Sequence, residues 1–365
     1  MKTKQSNFIA ILIIFFLLTI SFLNHKSQYL TKFNFQKLEK LYNHSQFAPK
    51  PEERIFIIQD EDLYAYAGFQ YLKTGKLDSI NIEHPPLGKY FIGLSILVFN
   101  NQNVGQIIWG GLFLFLLYLF AKKVLKSKSL ALLLVLFFSQ ELLFKDQLIY
   151  SLLDLPLGVF LLLFFLKSLE KKVSPKTIFI QGLSLGAIAS IKYPTTALIA
   201  FVTLVVYYLL TKKEKIFNRL IIIGFIALGV FLISYLPFFI KNPSFISFYN
   251  LQFKALKIHL SHVPEYPKGQ VFNVLLLNRW LSWWGDKNYI KTGFWNFIWP
   301  ILTINFFITF LKFKKNLLIN LWSFFYLSFI SIRLFFPRYL FLLLPFFYIQ
   351  LFFNIKVFVS KKVVV

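Results

Sequence analysis

The stretch QDEDLYAYAG, residues 59–68, sets three acids, Asp60, Glu61 and Asp62, in an otherwise oily chain. Carboxylates beside a membrane are costly, so those that are kept there have a job. On a helix Asp60 and Tyr64 stand four apart and share a face. A neighbouring carboxylate and partial burial both raise a pKa, which makes a better base for taking a proton from a hydroxyl. The helix macrodipole, which favours acids in a first turn, accounts for the triplet alone equally well.

Three further stretches carry chemistry. EHPPLGKY, 83–90, is a rigid corner: its prolines forbid helix at His84 and Pro85 and can start one after them. YSLLDLPLG, 150–158, sets Asp154 at the start of an apolar run, where an ionisable residue is a functional candidate or a helix cap. ASIKYPTTAL, 189–198, puts Lys192 in a tight turn between two apolar runs, suited to an anionic ligand or to snorkelling toward headgroups. His259 and His262, three apart with Glu265 following, have ligand spacing, although such pairs are more often solvated surface.

These residues need a scaffold, and the composition names it. The chain has 365 residues, 57% of them hydrophobic and 48 of them Phe. A soluble domain is about 45–50% apolar. Apolar runs recur at 8–23, 104–121, 129–146, 152–166, 177–191, 194–210, 219–240, 294–311, 316–332 and 336–355, which predicts an all-α polytopic membrane protein of about ten spans. The first run follows Lys2 and Lys4 and lacks a small-residue cleavage pattern, so it reads as an uncleaved span. Absence of Cys excludes disulfides and thiolate metal sites. The net charge of +25 lies in short loops between apolar runs, which points to topology and anionic headgroups rather than nucleic acid.

Topology follows from the lysines. If 87–99 lies in the interface or re-enters, the basic loops 122–128, 167–176, 212–219 and 312–315 all face the cytoplasm, as do both termini. Of 15 acids only Glu170 and Glu214 then fall inside; the remaining thirteen, Asp146 and Asp286 among them, are external. One domain, 1–365, thus carries two large external segments, 24–103 with the acids and interfacial helices, and 241–293. The stretch 243–260 reads as a helix lying on the membrane face.

The order Asp-Glu, then HPPLGK, then LLD-x-P-L, then Ser-x-Lys-Tyr-Pro resembles the protein O-mannosyltransferase family of the GT-C superfamily of membrane glycosyltransferases. Residues 55–98 and 140–198 carry the likeness. RWLSWW, 279–284, and FPRYLFLLLP, 336–345, resemble the family's Trp-rich external stretch and its late Arg-aromatic span. The resemblance implies a GT-C transmembrane bundle that moves a sugar, mannose or another hexose, from a polyprenyl or dolichyl phosphate to an acceptor hydroxyl, with inversion at the anomeric carbon. It implies Asp60 as catalytic base, Glu61 beside it and Asp154 as second acid, with His84 and Lys89 shaping the site.

Chemistry fits that expectation. The lipid phosphate is already a good leaving group and needs cations; Lys192, Arg279, Arg333 and Arg338 are available. Tyr64 shares the face of Asp60. No Gly-rich phosphate loop is present, in keeping with a lipid-linked donor. No cofactor is expected: a divalent metal between Asp60 and Asp154 occurs in some GT-C relatives, but the O-mannosyltransferase likeness argues against it. The acceptor is a hydroxyl on protein, glycan or lipid, and the site faces outward from a prokaryotic cell membrane. The departures are a DED triplet, which leaves Asp62 without a role, and a chain short of the eukaryotic branch's soluble domain. Two rival classes remain: a flippase of lipid-linked sugars, which would want charges or broken helices at mid-membrane, and a non-catalytic partner in a glycosylation complex.

Overall fold

The computed structural model describes residues 2–170, 173–212, 216–261, 267–282, 288–310 and 316–362. Helix dominates; among the described residues the sheet is one short antiparallel pair, Trp280–Leu281 with Tyr289–Ile290. Among the described residues three helices have the length and apolarity of a span: Gln5–Asn24, Val104–Leu125 and Ile216–Ser234. Leu142–Ile149 and Asp154–Ser168 form an apolar pair bent by 116°. Shorter apolar helices occupy Lys128–Phe138, Pro194–Leu210, Ile298–Phe310, Leu317–Ile332 and Leu344–Ser360.

Each run read as a span therefore holds a helix, but three are interrupted. The run 129–146 breaks at residues 139–141, and 219–240 breaks at Tyr235 before Leu236–Lys241, whose first turn carries Pro237. Proline lacks the N–H that a continuous helix needs. The run 336–355 opens with the 3-10 turn Pro337–Leu342. With several helices shorter than the roughly 20 residues a bilayer requires, the count of ten crossings rests on the charge pattern.

One acid departs from the expected wet face. Glu141, at the break between Lys128–Phe138 and Leu142–Ile149, is 1% exposed inside the bundle. Trp299 Nε1 donates to it at 3.2 Å and the Tyr348 hydroxyl donates to its other oxygen. The break thus comes with a carboxylate whose partners lie on two later helices.

Two helices carry the front of the site. Asp60–Thr74 begins with three acids in its first turn, favourable to its dipole, and ends at Gly75 with φ +64°, the left-handed conformation glycine adopts freely. Leu87–Phe99 starts directly after Pro85 and Pro86 and ends at Asn100, also left-handed. The two cross at backbone distance: a Cβ on Gly68 would lie 2.3 Å from the Lys89 carbonyl oxygen, and one on Gly93 2.4 Å from that of Gly68. Small residues at a helix crossing permit this approach.

Lys89 locks the corner between them. It is fully buried, and its Nζ donates to the carbonyls of Asn81 (2.6 Å) and His84 (2.7 Å), to Asn81 Oδ1 (3.1 Å) and to the Tyr71 hydroxyl (3.2 Å). The Tyr71 hydroxyl in turn donates to the Ile80 carbonyl. Every acceptor around this ammonium is a fixed group of the loop 80–84 or of the adjoining helix.

Candidate active site

A cavity of about 640 Å³ opens beside the N-terminus of the acidic helix. Asp60, His84, Asp154, Lys192 and Arg338 all line it, so five of the residues singled out in the sequence converge from five separate segments. Asp60 comes from the first turn of its helix and His84 from the proline corner. Asp154 opens the helix Asp154–Ser168 and Lys192 ends Pro175–Ile191. Arg338 sits in the 3-10 turn Pro337–Leu342, where Pro337 occupies the first position.

The acids and cations are paired. Lys192 Nζ lies 2.8 Å from both carboxylate oxygens of Asp154, and the two side chains are only 1% and 2% exposed. Arg338 donates to Asp60 Oδ2; here the side chains are 18% and 33% exposed, so this pair is the wetter one. Arg338 retains an Nε donor with no partner among the described residues. Lys192 also stands 5.1 Å from the Tyr339 ring centroid, and Arg338 5.3 Å from that of Phe336.

Electrostatics correct one expectation. The Asp60 carboxyl is held below the usual range, not above it: burial opposes its charge, but the Arg338 guanidinium and then Lys192 overcome that cost. The raised group of the triplet is Glu61, pushed up by burial and then by Asp62 and Asp60. Burial pushes Lys192 down to about 8 despite the pull of Asp154. His84 is driven well below its ordinary value by burial and then by Lys192 and Lys89, so it is neutral.

An aromatic cluster completes the wall. Tyr193 follows Lys192 and meets His84 edge-on at 4.7 Å between centroids and His259 at 5.3 Å. Its hydroxyl lies 3.1 Å from that of Tyr339. His259, on the helix Phe245–Ser261, donates through Nε2 to the Glu83 carbonyl at 2.8 Å. That helix supplies Gln252, Ala255 and Leu256 to the cavity while exposing Phe245, Ile246 and Tyr249, as expected of a helix on a membrane face. Apolar side chains at Phe329, Ile330 and Leu334 add a greasy stretch, and Arg333 lines the cavity among them.

Other candidates fall elsewhere. Tyr64 is buried next to Asp60 and Glu61 is half-buried beside it, but neither lines the cavity. Lys89 lies beneath the His84 loop, off the cavity wall, and reaches the site only by holding that loop. Arg279 is exposed just past the helix Gln270–Leu277 and does not line the cavity. His262, Glu265, Asp286 and Glu214 lie outside the described residues. Tyr339 and Tyr193 were missed as site residues, though each adjoins a cation that was singled out. A divalent ion between Asp60 and Asp154 would have to displace Arg338 or Lys192, so the donor set fits internal pairing better than a metal. No group of three His or acidic residues with ligand geometry occurs among the described residues.

Residues 83–240 match the family described as dolichyl-phosphate-mannose-protein mannosyltransferase, a segment that includes His84, Asp154 and Lys192 but neither Asp60 nor Arg338. The fold is shared with crystal structures of ArnT from Cupriavidus metallidurans. In the apo state the TM-score is 0.60 at 17% identity, covering 81% of this chain and 55% of that one. Bound to undecaprenyl phosphate, ArnT gives 0.60 at 18% identity with the same coverage. The chain thus spans about half the length of those proteins. No curated protein matches the chain. The family match covers residues 83–240, and the likeness to ArnT is one of fold.

Proposed function

We propose that this protein is an inverting glycosyltransferase that moves a hexose, mannose being the family's usual sugar, from a polyprenyl phosphate to an acceptor hydroxyl on the external face of a prokaryotic membrane. The observation that carries the reading is the meeting of two carboxylate–cation pairs in one cavity with an apolar stretch. The ArnT complex with undecaprenyl phosphate supports a polyprenyl-phosphate donor on this fold.

The chemistry needs one base and a well-held leaving group. An acceptor oxygen attacks the anomeric carbon as its proton passes to Asp60. The bond from that carbon to the phosphate oxygen breaks on the opposite face, and the lipid phosphate departs with the electron pair. Lys192 and Arg338 meet its charge through charge-assisted hydrogen bonds. Asp60 is a weak base while Arg338 holds it. A donor phosphate competes for the same guanidinium and draws it away, which restores the basicity of Asp60 when donor is bound. Asp154 keeps Lys192 charged in a buried position, and Lys89 acts through the His84 loop.

The test supplies radiolabelled polyprenyl-phosphate mannose to membranes carrying the parent protein or Asp60→Asn, and counts transferred sugar and released lipid phosphate. Turnover in the parent that vanishes in the inserted, folded variant is expected. Turnover unchanged in Asp60→Asn sinks the base assignment. Donor moved across liposomes but returned intact marks a flippase instead.

A further inference from the structure

The DED triplet has a second half. Asp60 and Asp62 are two residues apart, about 200° around a helix, so they face opposite sides. Asp60 lines the large cavity; Asp62 lines a second one, of about 370 Å³, on the other side of the same helix. That volume is in the range of small-molecule sites, about 300–1,000 Å³. Its wall gathers the short helix Lys26–Leu30 with the residues after it, the start of Phe35–Asn43 and the turn Asn100–Asn103 that follows Leu87–Phe99.

This wall is built of polar side chains with an apolar patch from Phe33 and Leu38. Asn101 is 3% exposed and ties its own turn to the segment 28–31: its Nδ2 donates to the carbonyls of Gln28 (2.9 Å) and Thr31 (2.7 Å), and its Oδ1 accepts from the backbone of Asn103 (2.7 Å) and Val104 (3.0 Å). Asn103, 7% exposed, donates to the Gln28 carbonyl at 3.3 Å and keeps an Oδ1 with no partner among the described residues. Gln102 donates to Asp62 Oδ1 at 3.4 Å, a long bond that a better donor would displace. Lys32 and Lys37 add two ammonium donors.

The lining selects its ligand by chemistry. Lys32 and Lys37 are exposed and screened by solvent while Asp62 is half-buried, so the inner wall disfavours an anion; the lysines disfavour a cation, and the amides suit polar rather than purely apolar molecules. Carboxylate, amides and ammonium groups together suit a neutral molecule dense in hydroxyls, each of which both donates and accepts. We propose that this cavity binds a neutral saccharide of one or two rings, with Asp62 and Gln102 as the principal contacts. The site stands whether or not Asp60 is a catalytic base.

The chain has no cysteine, so one introduced thiol reports a single place. In the purified full-length Lys37→Cys protein, α-1,2-mannobiose or maltose at up to ~100 mM is expected to slow maleimide labelling severalfold. Labelling of Lys73→Cys, outside the cavity lining, stays unchanged. Adding Asp62→Ala to Lys37→Cys removes the protection, with Gln102→Ala as a second variant should the first fail to fold; adding Asp60→Asn leaves it intact. Equal protection by inorganic phosphate, no protection by either sugar, or protection that survives both Asp62→Ala and Gln102→Ala overturns the proposal. So does protection lost on Asp60→Asn, which would put the sugar in the large cavity.

Discussion

Two lysines of this protein are buried to the same degree, Lys89 fully and Lys192 to 1% exposure, yet their surroundings differ in kind. Lys89 is surrounded by neutral acceptors, two carbonyls, an amide and a phenol, all from the corner it supports. Lys192 faces a carboxylate and lines a cavity shared with a second ion pair. An ammonium saturated by its own loop has no bond left for a ligand. One balanced against a carboxylate at a cavity wall can exchange partners. Burial alone therefore does not mark a substrate-binding cation; the free side of its coordination does.

The comparison breaks first at the acids. Asp60→Asn keeps shape and removes the proton acceptor, so kcat is expected to fall by about 10²–10⁴, with insertion kept and only the modest stability loss of a partly exposed ion pair. Asp154→Ala acts differently, because it leaves Lys192 buried without its counter-charge. Losing one partner of a buried pair costs about 3–5 kcal/mol, which a denaturation series should read directly. The double variant Asp154→Leu with Lys192→Met removes both charges and should regain most of that stability while staying inactive. Recovery of activity in the double variant would mean that the pair is scaffold only.

Lys89→Met is the matching test on the other side. It strands the carbonyls of Asn81 and His84, each at about 1–3 kcal/mol when buried and unsatisfied. Stability should drop, and activity should fall through a disordered His84 loop. Saturating donor should restore part of it, since binding re-forms the wall. A loss in kcat alone, at parental stability, would put Lys89 in contact with substrate after all.

The pH profile separates the two pairs. Lys192 titrates near 8 in the folded protein against 10.5 for a free lysine. Above about pH 8 it loses its proton, so turnover should decline there. Stability moves the other way: between about 8 and 10.5 the unfolded chain binds the proton and the folded one does not, so stability rises with pH across that window. Asp60 moves stability in the same direction, at lower pH. Its lowered value contributes stability above the free carboxylate range, lost as pH falls through the folded value. Parallel curves for activity and stability above pH 8 would rule Lys192 out as the group in question.

How far the sequence carried the site depends on what each signal measures. Spacing and residue type marked Asp60, His84, Asp154, Lys192 and Arg338, and the cavity gathers all five. Pairing was not legible, because Asp154 with Lys192 is a contact 38 residues apart and Asp60 with Arg338 one 278 apart. That blindness reversed the expected pKa of Asp60: a local reading sees the acids beside it and not the arginine opposite. Hydropathy located the apolar helices but not their breaks, since a run such as 129–146 reads the same whether or not Glu141 interrupts it. Lys89 showed the limit from the other direction, as a charge in a motif that proves to hold up the motif's own backbone.

The smallest expected effect belongs to Arg279, a cation that the sequence ranked with Arg338. Arg338 is pinned by the turn after Pro337 and lines the cavity. Arg279 sits exposed beyond the helix Gln270–Leu277, where its backbone N–H donates to the Asn273 carbonyl at 3.2 Å. An exposed charge contributes at most about 1 kcal/mol, so Arg279→Ala should hold kcat/KM within about fivefold of the parent. Arg338→Ala, by contrast, should remove activity to the level of Asp60→Asn. A loss for Arg279→Ala as deep as that for Arg338→Ala would show that the stretch after Leu277 folds over the cavity during turnover, and the division between paired cavity cations and solvated surface cations would have to be redrawn.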